Sequence, residues 1–163
     1  MKAVLSSRAA GIDVRAAVYA GVAAGILATI AQIVLWAIFT EALPAIFFRD
    51  SRFAAAIVLG RGVLPPPASF DAGIVLIATL VHFALAIAYG LMLAWLIARL
   101  RPLASLLAGA AFGLCVYAVN MYGFATVFPW FASSRDWITA ATHLVFGMVS
   151  AGAYQAFSQK RKR

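Results

Sequence analysis

Four long stretches of this 163-residue chain contain no Asp, Glu, Lys or Arg: residues 16–40, 72–98, 102–134 and 137–159. About 20 residues at roughly 1.5 Å rise cross a hydrocarbon core of about 30 Å, so each stretch is long enough to span a bilayer. Charged residues make up only 11% of the chain, against roughly 25% in a soluble domain, too few to solvate four such segments. The expected fold is all-α, a four-transmembrane-helix bundle with spans near 16–42, 72–98, 103–129 and 137–158 in a single integral membrane domain over 1–163. Barrel strands would alternate apolar and polar residues over about ten positions, and these runs do not. Lys2, Arg8 and Arg15 precede the first run as in a signal peptide. Its apolar part exceeds the roughly 7 to 15 residues of a cleavable segment, so it is read as a permanent helix.

Basic residues set the expected orientation. With the N-terminus in the cytoplasm, Lys2, Arg8, Arg15, Arg99, Arg101, Lys160, Arg161, Lys162 and Arg163 fall inside, while Arg49, Arg52, Arg61 and Arg135 fall outside. Four of the five acids, Glu41, Asp50, Asp71 and Asp136, also fall outside. Both termini are therefore expected in the cytoplasm, with the chain in a bacterial inner membrane. A pI near 10.4 invites a nucleic-acid reading. Given the spans, the tail Lys160, Arg161, Lys162 and Arg163 suits anionic lipid at the inner leaflet instead, and no nucleic acid is expected. The single cysteine, Cys115, lies within the third span and allows no internal disulfide.

The only long connection, 41–71, opens with Pro44 and closes with Pro65, Pro66 and Pro67. Its "AIFFRDSRFAAAIVLG" mixes a few charges with bulky apolar residues, the pattern of a helix lying in the outer interface. The prolines then read as a stiff spacer into the second span.

An internal similarity organises the rest. "AGVAAG" at 20–25 recurs as "AGAAFG" at 108–113, and the same offset places Gln32 on Asn120. "AY" at 88–89 matches "AY" at 153–154, an offset that places Ala78 on His143 and His82 on Gly147. This pattern predicts a duplicated helical hairpin about an axis along the membrane normal. Gly21, Gly25 and Gln32 share one helical face, as do Gly109, Gly113, Tyr117 and Asn120. Small residues four apart let helices approach closely, so the first and third spans are expected to meet at these glycines. His143, Gly147, Ser150 and Tyr154 line the fourth span in the same way that Ala78, His82, Leu85 and Tyr89 line the second.

Counted from the outer ends, Gln32, His82, Asn120 and His143 all fall about 10 to 17 Å deep, one amide or imidazole per span. Such a layer has a packing reading, in which polar groups pair across helices for about 1 kcal/mol each. It also has two functional readings. His82 and His143 could ligate haem b or a transition metal, or the layer could pass a substrate or protons in a small oligomeric transporter or channel. Packing is favoured, because no carboxylate lies inside any span to orient a ligating histidine and Glu41 is the nearest. No catalytic residue, cofactor or metal is expected. "GRG" at 60–62 is too short for a phosphate loop, and Ser133, Ser134 and Asp136 read as a helix cap. Trp36, Trp95, Trp130 and Trp137 read as interface anchors.

With "AGVAAGILAT" opening the first span, a long outer connection and "DWITAATHLVFG" opening the last, the chain resembles small uncharacterised four-span bacterial inner-membrane proteins, some loosely labelled sodium/proline symporters. Carriers of that kind need many more helices, so the resemblance implies the fold and location but no site residue. The expected role is a non-catalytic accessory or structural subunit of a membrane assembly, or a self-associating small membrane protein.

Overall fold

The computed structural model describes residues 11–160, and among them it is helical with no strand. Lys2, Arg8, Arg161, Lys162 and Arg163, on which the orientation argument leans, lie outside the described residues, as does the side chain of Lys160. Five α-helices form the frame: α1 (Val14–Phe39), α2 (Ala45–Leu59), α3 (Ala72–Ile97), α4 (Pro102–Ala118) and α5 (Trp137–Lys160).

Three of them begin on an aspartate. The carboxylates of Asp13, Asp71 and Asp136 accept from the backbone N–H groups of Ala16, Ile74 and Thr139 at 3.0, 3.0 and 2.8 Å. Each satisfies a donor that the first turn leaves free, at the positive end of the helix dipole. α4 instead starts with Pro102, whose missing N–H would have had no partner there. Ser133 and Ser134 belong to the 3-10 turn Pro129–Ser134 just before the last cap, and Asp136 alone does the capping.

α1, α3 and the helical segment Pro102–Thr126 are long and apolar enough to cross a membrane. The third of these is not one regular helix. α4 stops at Ala118 and continues as a π turn, Val119–Gly123, and a 3-10 turn, Phe124–Thr126. Arg135 holds the widened turn from outside, donating from Nε to the Met121 carbonyl at 2.7 Å while its guanidinium sits 4.6 Å from the Tyr122 ring centre.

α1 and α5 form the centre of the bundle, with α3 packed on α1 and α4 packed on α5. α3 and α4 barely touch. A symmetric pair of hairpins would make the α1–α5 and α3–α4 contacts alike, so the two hairpins do not pack as the equivalent halves expected. The expected glycine contact is also corrected. Gly21 and Gly25 face α3, and Gly109 and Gly113 face α5, so each seam closes its own hairpin and does not join the first span to the third. A Cβ at Gly21 would lie 2.7 Å from the Ala86 carbonyl oxygen, and one at Gly90 would lie 2.9 Å from the Gly21 Cα. In the other hairpin, Cβ atoms at Gly109, Gly113 and Gly147 would run into the carbonyl oxygens of Gly147, His143 and Gly109 respectively. Backbone meets backbone at both crossings, which only glycine permits. The central α1–α5 contact uses alanine instead, burying Ala16, Ala17 and Ala20 with Ala151 and Tyr154.

The 41–71 connection holds the expected helix as α2, which folds onto α3. Trp36 departs from its reading as an interface anchor, because it is only 3% exposed. Arg52 is buried too, and its guanidinium donates to the carbonyls of Val63 and Ser69 at 3.2 and 3.4 Å, tying the proline-rich stretch to α2. Trp130 adds a second tie, donating from Nε1 to the Phe53 carbonyl at 3.1 Å.

Candidate functional site

The glycine contacts bring the polar side chains into place. Gly25 leaves room for an imidazole, since a Cβ there would lie 3.2 Å from His82 Nε2. That nitrogen is 3.3 Å from both the Gly25 carbonyl oxygen and Thr29 Oγ1. A carbonyl only accepts, so Nε2 carries the proton and donates. Thr29 also donates to the Gly25 carbonyl, at 2.9 Å, completing a small cluster within the first hairpin. In the neutral ring Nδ1 is then an acceptor, and among the described residues it has no hydrogen-bond partner.

The second cluster is a directed chain across three helices. Tyr89 on α3 donates its hydroxyl to Asn120 Oδ1 at 2.8 Å. Asn120 Nδ2 lies 3.4 Å from His143 Nε2, and His143 Nδ1 lies 2.8 Å from the Thr139 carbonyl. The carbonyl again fixes the tautomer: Nδ1 donates, so Nε2 accepts from the asparagine amide. Both ring nitrogens of His143 and both ends of the Asn120 amide are thus engaged within the protein. The Tyr89–Asn120 bond also bridges the open side of the bundle, where α3 and α4 scarcely pack. The π turn carries Asn120 at this point, and such turns recur at functional sites because they re-aim side chains.

Gln32, His82, Asn120 and His143, the four residues singled out by depth, all line one cavity of about 160 Å³ between the hairpins, with Tyr89 and Phe146 among its walls. A second cavity of about 320 Å³ lies under α2, between α1 and α3, and shares Thr29, Gln32 and His82 with the first. Gln32 makes no side-chain hydrogen bond to any described residue, although it faces both spaces.

Three contributors escaped the sequence reading. Thr29 stands four residues after Gly25 and three before Gln32, on their shared face, and that spacing could have flagged it. Tyr89 lay on the recognised His82 face, seven residues further along, and was not counted with the layer. Asp50 had no signal at all, because only the fold-back of α2 brings it into the wall of the larger cavity. Glu41, the carboxylate expected nearest the layer, is exposed. Asp50 pairs with Arg49, whose Nη2 and Nε each lie 2.8 Å from its Oδ1. Burial raises the Asp50 carboxyl above its ordinary value of 3.8, against the downward pull of Arg49.

Among the described residues no three His, Cys, Asp or Glu side chains gather as a metal-ligand group. Length and apolarity of its helices define the chain as a multi-pass, all-helical membrane protein. Comparison with protein-family models, with curated proteins and with solved structures finds no match.

Proposed function

We propose that the protein is a non-catalytic, four-span inner-membrane protein with both termini in the cytoplasm, acting as an accessory or structural subunit of a membrane assembly or as a self-associating small membrane protein. α5 is the fourth span in this reading. It is the least apolar of the long helices, but its polar positions Thr139, Thr142, Ser150 and Tyr154 are buried against neighbouring helices and turned away from lipid. A central helix can carry such groups because its neighbours shield them from the acyl chains: the Tyr154 hydroxyl accepts from the Asp13 N–H at 3.3 Å and Thr142 donates to the Thr139 carbonyl at 2.9 Å, while the Thr139 and Ser150 hydroxyls have no hydrogen-bond partner among the described residues.

The observation that carries the reading is the Tyr89–Asn120–His143–Thr139 chain. Its polar groups satisfy one another, which is what packing requires and leaves little over for chemistry. The cavity between the histidines, about 160 Å³, is also smaller than the about 300 to 1,000 Å³ of typical small-molecule sites. The test is native mass spectrometry of the protein extracted in mild detergent, with and without its membrane. A defined oligomer or a stoichiometric partner is the expected result, and a bare monomer under every condition overturns the accessory reading. A Soret band in the visible spectrum, lost in His82→Ala, would replace it with a haem-binding redox module.

A further inference from the structure

We infer that the cavity under α2 is a binding site for an uncharged, ring-headed amphiphile of the quinone type, entering from the bilayer. The inference concerns α1, α2 and α3 alone and does not depend on how α5 or any partner is read.

Size comes first. At about 320 Å³ the space falls at the lower end of small-molecule sites, enough for a ring head group but not for a folded chain as well. The polar groups come next. Gln32 presents an amide with no hydrogen-bond partner among the described residues, and His82, whose Nδ1 is an unused acceptor among them, stands in the same wall. An unpaired amide away from water is costly, so its natural complement is a ligand that both accepts and donates hydrogen bonds. Quinone carbonyls accept from the Gln32 N–H groups, and the hydroxyls of the reduced ring donate to the amide oxygen or to His82.

Charge argues for a neutral head group. Among the described residues Asp50 is the only charged one in the wall, and Arg49 at 2.8 Å already balances it. Shape argues for a flat one. Trp36, Phe47 and Phe83 supply three aromatic surfaces, and rings prefer offset or edge contact with such surfaces. Access argues for the bilayer as the source. Ile26, Ile30 and Ile33 form the rim on α1 and are also exposed on the outside of the bundle, so an isoprenoid or alkyl tail leaves along an apolar ladder while the head reaches Gln32.

The test titrates the full-length protein, in phosphatidylcholine nanodiscs, with decylubiquinone while tryptophan fluorescence is recorded. Quenching from simple partition into lipid rises linearly, whereas the site adds a saturable component. We expect that component in the wild type, its loss in Trp36→Phe, and at least a tenfold weaker apparent affinity in Gln32→Leu. Ala54→Phe, which fills the cavity from α2 without removing a polar group, is expected to abolish it, and it decides the matter should Gln32→Leu fail to fold. Decan-1-ol is expected not to compete. Linear quenching alone in the wild type overturns the site, as does an unchanged affinity in Ala54→Phe. Equal competition by decan-1-ol overturns the ring specificity in favour of a generic chain-binding groove.

Discussion

Replacing Gly147 by alanine tests whether the α4–α5 crossing is as tight as its backbone contacts require. The added methyl would meet the Gly109 carbonyl oxygen, with the Gly109 carbonyl carbon and the Gly113 nitrogen each 2.9 Å away. Ordinary contact for a Cβ begins at 3.4 Å, so the helices must part by at least 3.4 − 2.9 = 0.5 Å at that point, and by more for the oxygen. A gap of about 0.5 to 1 Å forfeits a quarter to a half of the dispersion energy of each contact it opens. Overpacking of this kind costs about 1 to 3 kcal/mol. The backbone atoms have no rotamer to escape into, which puts the expected loss in the upper half of that range. The same separation pulls His143, on α5, away from Asn120, on the turn continuing α4, and their contact is already long at 3.4 Å. Gly152→Ala on the same helix is the control, because its methyl would lie 3.5 Å from Leu106 Cδ2, an ordinary contact. There the change is expected to be neutral or to stabilise by up to about 1 kcal/mol through helix propensity. Reversible unfolding in mixed micelles with increasing dodecyl sulfate measures both variants. Equal stability of Gly147→Ala and Gly152→Ala would refute the close crossing.

Tyr89→Phe removes the one side-chain hydrogen bond among the described residues that crosses the open side between α3 and the segment continuing α4. The expected cost is about 0.6 kcal/mol and at most about 1.7, the range for hydrogen bonds between membrane helices. A double-mutant cycle with Asn120→Leu should show coupling of that size, and strict additivity would mean the bond is not made. Asp50 predicts a pH effect whose sign follows from its raised carboxyl. The stability it contributes is complete below 3.8 and is lost as pH rises through the higher value of the folded state. The melting-temperature difference between wild type and Asp50→Asn should therefore move against the wild type as pH rises above 3.8. A shift in its favour would show that the Arg49 pair outweighs burial.

The legible part of this molecule was local or compositional. The start of α5 was read from Asp136 as a cap, and Asp13 and Asp71 carry the same signal ahead of α1 and α3, an aspartate before an apolar run, although only the structure showed them capping. The common depth of Gln32, His82, Asn120 and His143 followed from counting residues along helices of fixed rise, and the four side chains line one cavity. The π turn at Val119–Gly123 left no such trace, since a single widened turn changes neither composition nor apolar length. Trp36 was misread for a related reason: a tryptophan near a span end looks like an interface anchor until tertiary packing buries it.

The sequence by itself determined that this chain is helical and apolar enough to cross a membrane, that Asp136 caps its last helix, and which of its few polar groups fall at similar counts along their helices, because all of these depend only on neighbours along one chain segment. Tertiary structure decided the pairing. A glycine seam removes the side chains that would distinguish one neighbour from another, so Gly21 and Gly25 accept α3, and Gly109 and Gly113 accept α5, where a sequence pattern allows any close-packed helix. That choice placed α1 against α5 and left α3 apart from α4. It also assigned each histidine its partners, with His143 fully engaged by Asn120 and Thr139, and His82 held beside Thr29 at the wall of the larger cavity.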